Sequence, residues 1–120
     1  MLSKDKRLNL KTDFKWVAEG KSATNPFFRF FYRYGENSSP KVGVALNSKF
    51  FKKAHQRNRA KRLTQDVFFK LYPKLKSNLN IIALPNSRVF EVKSDSLEKE
   101  ISSTLLKEGL LNEENSNIDN

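Results

Sequence analysis

Between Gln56 and Leu63 the chain reads QRNRAKRL, which places Arg57, Arg59, Lys61 and Arg62 in one short run with Asn58 between two arginines. Arginine presents a planar fork of donors that suits bidentate contact with phosphate. Asn58 both donates and accepts, so it fits a base edge or a ribose 2′-hydroxyl. Lys53, Arg57 and Lys61 recur every fourth residue and share one stripe of a helix; Asn58 and Arg62 form the next, with His55 and Arg59 beside them. Like charges at i and i+4 weaken an isolated helix by a few tenths of a kcal/mol per pair, roughly. A bound phosphate backbone removes that repulsion. A solvated basic face is the plainer alternative.

A second stretch, FFRFFYRY from Phe27 to Tyr34, has the composition of a strand. Its even positions, Phe28, Phe30, Tyr32 and Tyr34, are all aromatic and read as core. Its odd positions, Phe27, Arg29, Phe31 and Arg33, alternate aromatic with arginine. That face suits unpaired bases stacked on rings with phosphates on the guanidiniums. A strand half-buried on both sides, with its arginines reaching out to water, explains it equally well.

Charge separates the two ends of the chain. The net charge over 120 residues is +10, yet residues 1–90 hold 20 Lys/Arg against 5 Asp/Glu, and residues 91–120 hold 3 against 8. Between Glu36 and Asp66 there are eight basic residues and no acid. Such a block points to a polyanion: RNA, DNA or a membrane surface.

Catalytic constellations are sparse. Cysteine is absent, which excludes disulfides and thiolate metal sites and fits a reducing compartment. His55 is the only histidine, so a two-histidine ribonuclease mechanism within one chain is excluded. A phosphate-cradling glycine loop is missing too. The opening MLSKDKRLNLK lacks the apolar core of a signal peptide, and no apolar run approaches the roughly 20 residues of a membrane span. A soluble intracellular protein is expected.

The elements that must carry these residues form one domain. Residues 1–10 are expected to be loose at the start. Thr12 or Asp13 is placed to cap a short helix through Phe14, Trp16 and Val17, which Gly20 ends. Lys41–Leu46 reads as a strand pairing in an antiparallel hairpin with Phe27–Tyr34 across the turn GENSSP. A long helix follows from about Ala54 to Tyr72, with Ala60, Leu63, Val67 and Leu71 as its buried stripe and Pro73 as its stop. Leu79–Leu84 reads as a central strand buried on both faces. Ser94 or Ser96 is placed to cap a last helix through Leu97, Ile101, Leu105 and Leu106 to Gly109. The domain is expected over residues 1–111, with 112–120 a disordered acidic tail. The class is α+β, a sandwich of helices on one mixed sheet.

VGVALNSKFFKKAHQRNRAKRLTQDVF resembles the signature of the bacterial ribonuclease P protein component. There a Val/Ile-Gly strand leads through a basic loop to a helical R-N-R-x-[KR]-R-L motif, matched here by Val42-Gly43, then Lys49, Lys52, Lys53, Ala54-His55, and Arg57 to Leu63. Arg7, Leu8, Asp13 and Phe14 are similar to the family's opening motif, and the resemblance spans about residues 7–108.

The resemblance implies the order αβββαβα with a left-handed βαβ crossover through the RNR helix. It implies a protein subunit that is not itself catalytic, bound to a catalytic RNA that cleaves the 5′ leader from precursor tRNA in the cytoplasm. Mg2+ is then held mainly by the RNA. Lys49, Lys52, Lys53, His55, Arg57, Asn58, Arg59, Lys61 and Arg62 would face the catalytic RNA. Phe14, Trp16, Phe27, Arg29, Phe31 and Arg33 would line the cleft for the leader. Neither DNA nor a membrane is an expected partner. In three places the chain departs from the family pattern. Ala18 stands near a frequent second aromatic, for which Trp16 substitutes, Gln65 replaces a frequently basic position one turn after Lys61, and the acidic end, 108–120, differs from the often basic tails of the family. The competing readings are a basic ribosome-associated protein that recognises structured RNA without a role in cleavage, and a self-sufficient ribonuclease built on His55.

Overall fold

The computed structural model describes residues 2–112. The expected 112–120 tail therefore lies, after its first residue, outside the described residues. The order is α1 (Leu10–Ala18), β1 (Lys21–Thr24), β2 (Phe28–Tyr34), β3 (Lys41–Val44), α2 (Ala54–Leu71), β4 (Leu79–Pro85) and α3 (Ser94–Lys107), with short 3-10 turns at Lys4–Lys6, Tyr72–Lys74 and Ser87–Phe90. This is the αβββαβα arrangement, folded as an α+β sandwich on a mixed four-stranded sheet.

The strand order is β1-β2-β4-β3. β2 runs antiparallel to β1 and to β4, while β3 runs parallel to β4. The hairpin expected between β2 and β3 is thus wrong: β4 lies between them. Leu79, Ile81, Ile82 and Ala83 have no exposed surface and need a neighbour on each edge as well as cover on each face. The GENSSP segment instead crosses the start of β4. Gly35 N–H donates to the Asn78 carbonyl at 2.9 Å, and Asn80 Nδ2 donates to Asn37 Oδ1 at 2.9 Å and to the Arg33 carbonyl at 3.2 Å.

Two apolar layers follow from the period-two alternation of the strands. One face of the sheet carries Phe28, Phe30, Tyr32, Val42, Ile81 and Ala83 against Ala60, Val67 and Phe68 of α2 and Leu97, Ile101 and Leu105 of α3. The other face carries Phe31, Ile82 and Leu84 against Phe14 and Val17 of α1, with Leu8 and Leu10 beside them. Ile82, wholly buried there, contributes roughly 1.5–3 kcal/mol.

Several boundaries differ from the sequence reading. Asn9, not Thr12 or Asp13, caps α1, its Oδ1 accepting from Lys11 N–H at 3.1 Å. α3 begins at Ser94 after Lys93, without a side-chain cap. Tyr34 and Leu106, expected in the core, are exposed. Residues 2–8 are tied down: Leu2 is buried, Arg7 bridges Val42 in parallel, and Leu8 N–H donates to the Val42 carbonyl at 2.9 Å. This segment covers the outer edge of β3. Gly109 takes the left-handed conformation (φ 76°) that closes α3, as its position after the helix suggests. No described helix is long and apolar enough to cross a membrane.

Candidate nucleic-acid interface

α2 separates its two sides cleanly. Ala60, Thr64, Val67, Phe68 and Leu71 are buried, and Asn58, Arg59, Lys61 and Arg62 are exposed. The preceding loop exposes Lys49, Lys52 and Lys53, and His55 is exposed on the first turn of the helix. That first turn contains no acidic residue. The positive end of the helix dipole therefore adds to the side-chain charge. Among the described residues three ion pairs form, Arg33–Glu19, Lys70–Glu98 and Arg88–Glu91, and none uses a cation from 49–62.

The two arginines of the RNR run have different surroundings. Arg57 turns back on the loop, its Nη1 donating to the carbonyls of Phe51 at 3.0 Å and Lys52 at 3.1 Å. Since Phe51 is fully buried, this contact fixes the basic loop to both core and helix. Arg59 lies with its guanidinium carbon 4.9 Å from the centre of the Phe90 ring. Among the described residues Lys61 and Arg62 make no such contact, and both are exposed.

A second group of sites lies where α1 meets β2. Phe14 and Phe31 meet edge to face, and the Arg29 guanidinium sits 5.0 Å over the Phe31 ring. Arg33 sits 4.6 Å over Trp16, donates to the Trp16 carbonyl at 3.0 Å and lies 4.0 Å from Glu19. Trp16, Arg33 and Tyr34 line a groove of about 580 Å³ with Asp13 and Asn37. Phe14, Trp16, Arg29, Phe31 and Arg33 thus share one side of the sheet.

Phe27 does not join them. It is buried in the opposite layer, with the Arg88 guanidinium 5.5 Å from its ring. The reason is local: Asn25 Oδ1 accepts from both Phe27 N–H and Phe28 N–H at 2.9 Å, so the chain is still turning at 27 and the strand alternation starts at 28.

Sequence reasoning missed the edge that borders α2. Lys4, Arg7 and Lys11 line a cleft there together with Lys61 and Gln65. Gln65 is 4% exposed although it is polar. Its place one turn beyond Lys61 on the cationic stripe was the available signal. Elsewhere, burial first and then the hydrogen bond to Glu108 push the Tyr32 hydroxyl up to about 12. No cluster of three or more His, Asp or Glu side chains placed to hold a metal occurs among the described residues.

The described residues present one exposed cationic helix face and one mixed aromatic-arginine face on the other side of the sheet. Solved structures share the fold. The ribonuclease P protein of Thermotoga maritima superposes with a TM-score of 0.74 at 27% identity, covering 81% of this chain and 92% of that one. The Staphylococcus aureus protein superposes at 0.77 over 89% of this chain and 98% of that one, at 18% identity, a likeness of fold. By sequence, a ribonuclease P protein component from Legionella pneumophila is 41% identical over 66 residues, and one from Pseudoalteromonas translucida 31% identical over 80. Those matches span 54% and 67% of this chain, and only 58% and 56% of the relatives' own lengths. The profile of the Ribonuclease P family matches residues 2–108, nearly the whole described chain, and on that match the chain belongs to the Ribonuclease P family.

Proposed function

We propose that this chain is the protein subunit of ribonuclease P, and that it assists a catalytic RNA in removing the 5′ leader from precursor tRNA. The observation that carries the reading is the run of cations from Lys49 to Arg62, exposed opposite the core and without acidic partners among the described residues. In the cytoplasm that face would dock on the catalytic RNA, where its charge offsets repulsion between phosphates. Phe14, Arg29 and Phe31, with Trp16 and Arg33 alongside, would hold the single-stranded leader by stacking and phosphate contact. The chemistry, and the Mg2+ it requires, belong to the RNA in this reading. The protein raises substrate affinity and lowers the magnesium needed.

The test is reconstitution with a bacterial catalytic RNA. Adding the protein is expected to stimulate leader removal at low magnesium. Binding to the RNA with unchanged cleavage across a magnesium titration would refute the reading. RNA that co-purifies with the chain should contain the ribonuclease P RNA; ribosomal RNA alone would favour a ribosome-associated protein instead.

A further inference from the structure

The basic loop before α2 holds one side chain that contact with phosphates does not use. Phe50 is 47% exposed, while Phe51 beside it has no exposed surface. The core takes one of the two adjacent rings, and that ring is Phe51. Phe50 stands edge to face against it, with ring centroids 6.5 Å apart and planes at 71°. A single exposed aromatic is ordinary on a protein surface. Three features set this one apart.

Its backbone is held. The N–H groups of Phe50 and Phe51 donate to the Asn47 carbonyl at 3.0 and 3.2 Å, and Lys49 N–H donates to Asn47 Oδ1 at 2.8 Å. Arg57 holds the carbonyls of Phe51 and Lys52 from the helix side. The ring therefore stands on a closed turn, and little ordering remains to be done when a ligand arrives. Its surroundings are cationic. Lys49, Lys52 and Lys53 are exposed in the same loop, and no acidic residue lies between Glu36 and Asp66. It is also joined to the RNR run. Phe51 meets Phe90 edge to face with centroids 5.7 Å apart, and the Arg59 guanidinium lies 4.9 Å from the centre of the Phe90 ring. Loop and helix are thus fixed to each other through Phe51.

Charge decides what covers the ring. A protein partner would have to supply acids for three unpaired lysines. A nucleotide brings its own anion, the phosphate that links it to its chain. Every base has a flat face that stacks on a ring, and an unpaired base has that face free. We propose that Phe50 stacks on one unpaired base of the RNA, while Lys49, Lys52 and Lys53 take the phosphates around it. The inference rests on the RNA-binding reading above and adds to it a contact that carries no charge.

The test titrates the full chain with a bacterial ribonuclease P RNA at several salt concentrations. Phe50→Ala is expected to weaken binding roughly fivefold or more, with the salt slope unchanged because no cation is lost. Phe50→Leu, which keeps apolar bulk without a ring, should lose nearly as much. Phe50→Trp should bind at least as tightly as the native chain. All three variants should melt with the native chain, since the ring is half in water. If the alanine variant melts lower, the comparison of leucine with tryptophan, both large and apolar, still decides. Native affinity in Phe50→Ala, or equal affinity in Phe50→Leu and Phe50→Trp, overturns the proposal. Loss of self-association in Phe50→Ala with RNA affinity intact would assign the ring to a second copy of the chain and overturn it as well. A native chain that binds the RNA no better than its Phe50 variants loses only the stacking contact, whereas a native chain that fails to bind the RNA loses the RNA-binding reading too.

Discussion

Phe14 of α1 and Phe31 of β2 meet edge to face with ring centroids 6.4 Å apart and planes at 70°. Both rings are half-buried, so each packs in the smaller apolar layer and still offers an edge or face to a ligand. A stacked base is worth roughly 1–3 kcal/mol when its aromatic partner is cut to alanine. Phe31→Ala is therefore expected to weaken binding of a leader-bearing precursor tRNA at least fivefold while leaving mature tRNA nearly unchanged. Equal losses on both substrates would remove the leader platform.

The cationic face makes a quantitative claim about salt. With about six phosphates neutralised, the logarithm of affinity for the catalytic RNA should fall with the logarithm of salt at a slope of roughly −4 to −5. Replacing Arg62 by alanine should flatten that slope by a little under one and lower affinity for RNA of any sequence. A slope near zero would show that the exposed cations of α2 face water.

Local features of the site were legible in the sequence, and long-range ones were not. The RNR helix was readable because its charges and its buried residues both follow the helical period, and α2 holds them on opposite sides as expected. Phe31 and Arg29 were readable from strand alternation. The position of β3 was not, since GENSSP is a turn whether the strands beside it pair or part, and the neighbour of β2 is decided by the burial demand of β4. Phe27 was misplaced because two backbone N–H groups donate to the side chain of Asn25, which shifts the start of the alternation by a residue. The ordered segment 2–8 gives no periodic signal, for it joins the sheet through one bridge at Val42.

Gly20 sits between α1 and β1, where a Cβ would come within 2.5 Å of the Tyr32 carbonyl oxygen and 2.9 Å of Arg33 Cβ. Backbone cannot yield as a flexible side-chain tip does. Gly20→Ala is expected to cost about 1–3 kcal/mol, seen as a melting temperature lowered by roughly 5 °C or more. It should also disturb the placement of Arg33 over Trp16. An unchanged melting temperature would mean that the α1–β1 turn is looser than this packing.

Tyr32 donates to Glu108 Oε1 at 2.6 Å, which links β2 to the end of α3. Its hydroxyl is pushed up to about 12 from an ordinary value of 10. The folded chain therefore holds this proton more tightly than the unfolded chain does. The stabilisation is complete below pH 10 and is lost as pH rises from 10 to 12. Urea unfolding across that range should show stability falling faster in the native chain than in Tyr32→Phe, and parallel curves would contradict the assignment.

Arg57 and Arg62 stand five residues apart in one motif and should respond differently to removal. The Arg57 guanidinium holds the carbonyls of Phe51 and Lys52, whereas Arg62 is exposed. Charged hydrogen bonds of this kind are worth about 1.5–3 kcal/mol each when buried and less at a half-exposed site such as this one. Arg57→Ala should therefore lower both the unfolding free energy, by about 1 kcal/mol, and the affinity for RNA, because the loop bearing Lys49, Lys52 and Lys53 loses its anchor. Arg62→Ala should lower affinity alone. Arg57→Lys separates the two effects, for it keeps the charge and gives up the planar fork that spans both carbonyls. Stability measured by urea unfolding should fall in Arg57→Lys almost as far as in Arg57→Ala, with the salt slope for RNA binding close to that of the native chain. If Arg57→Lys matches the native chain in stability, the loop is held by Phe51 packing and the arginine serves RNA only.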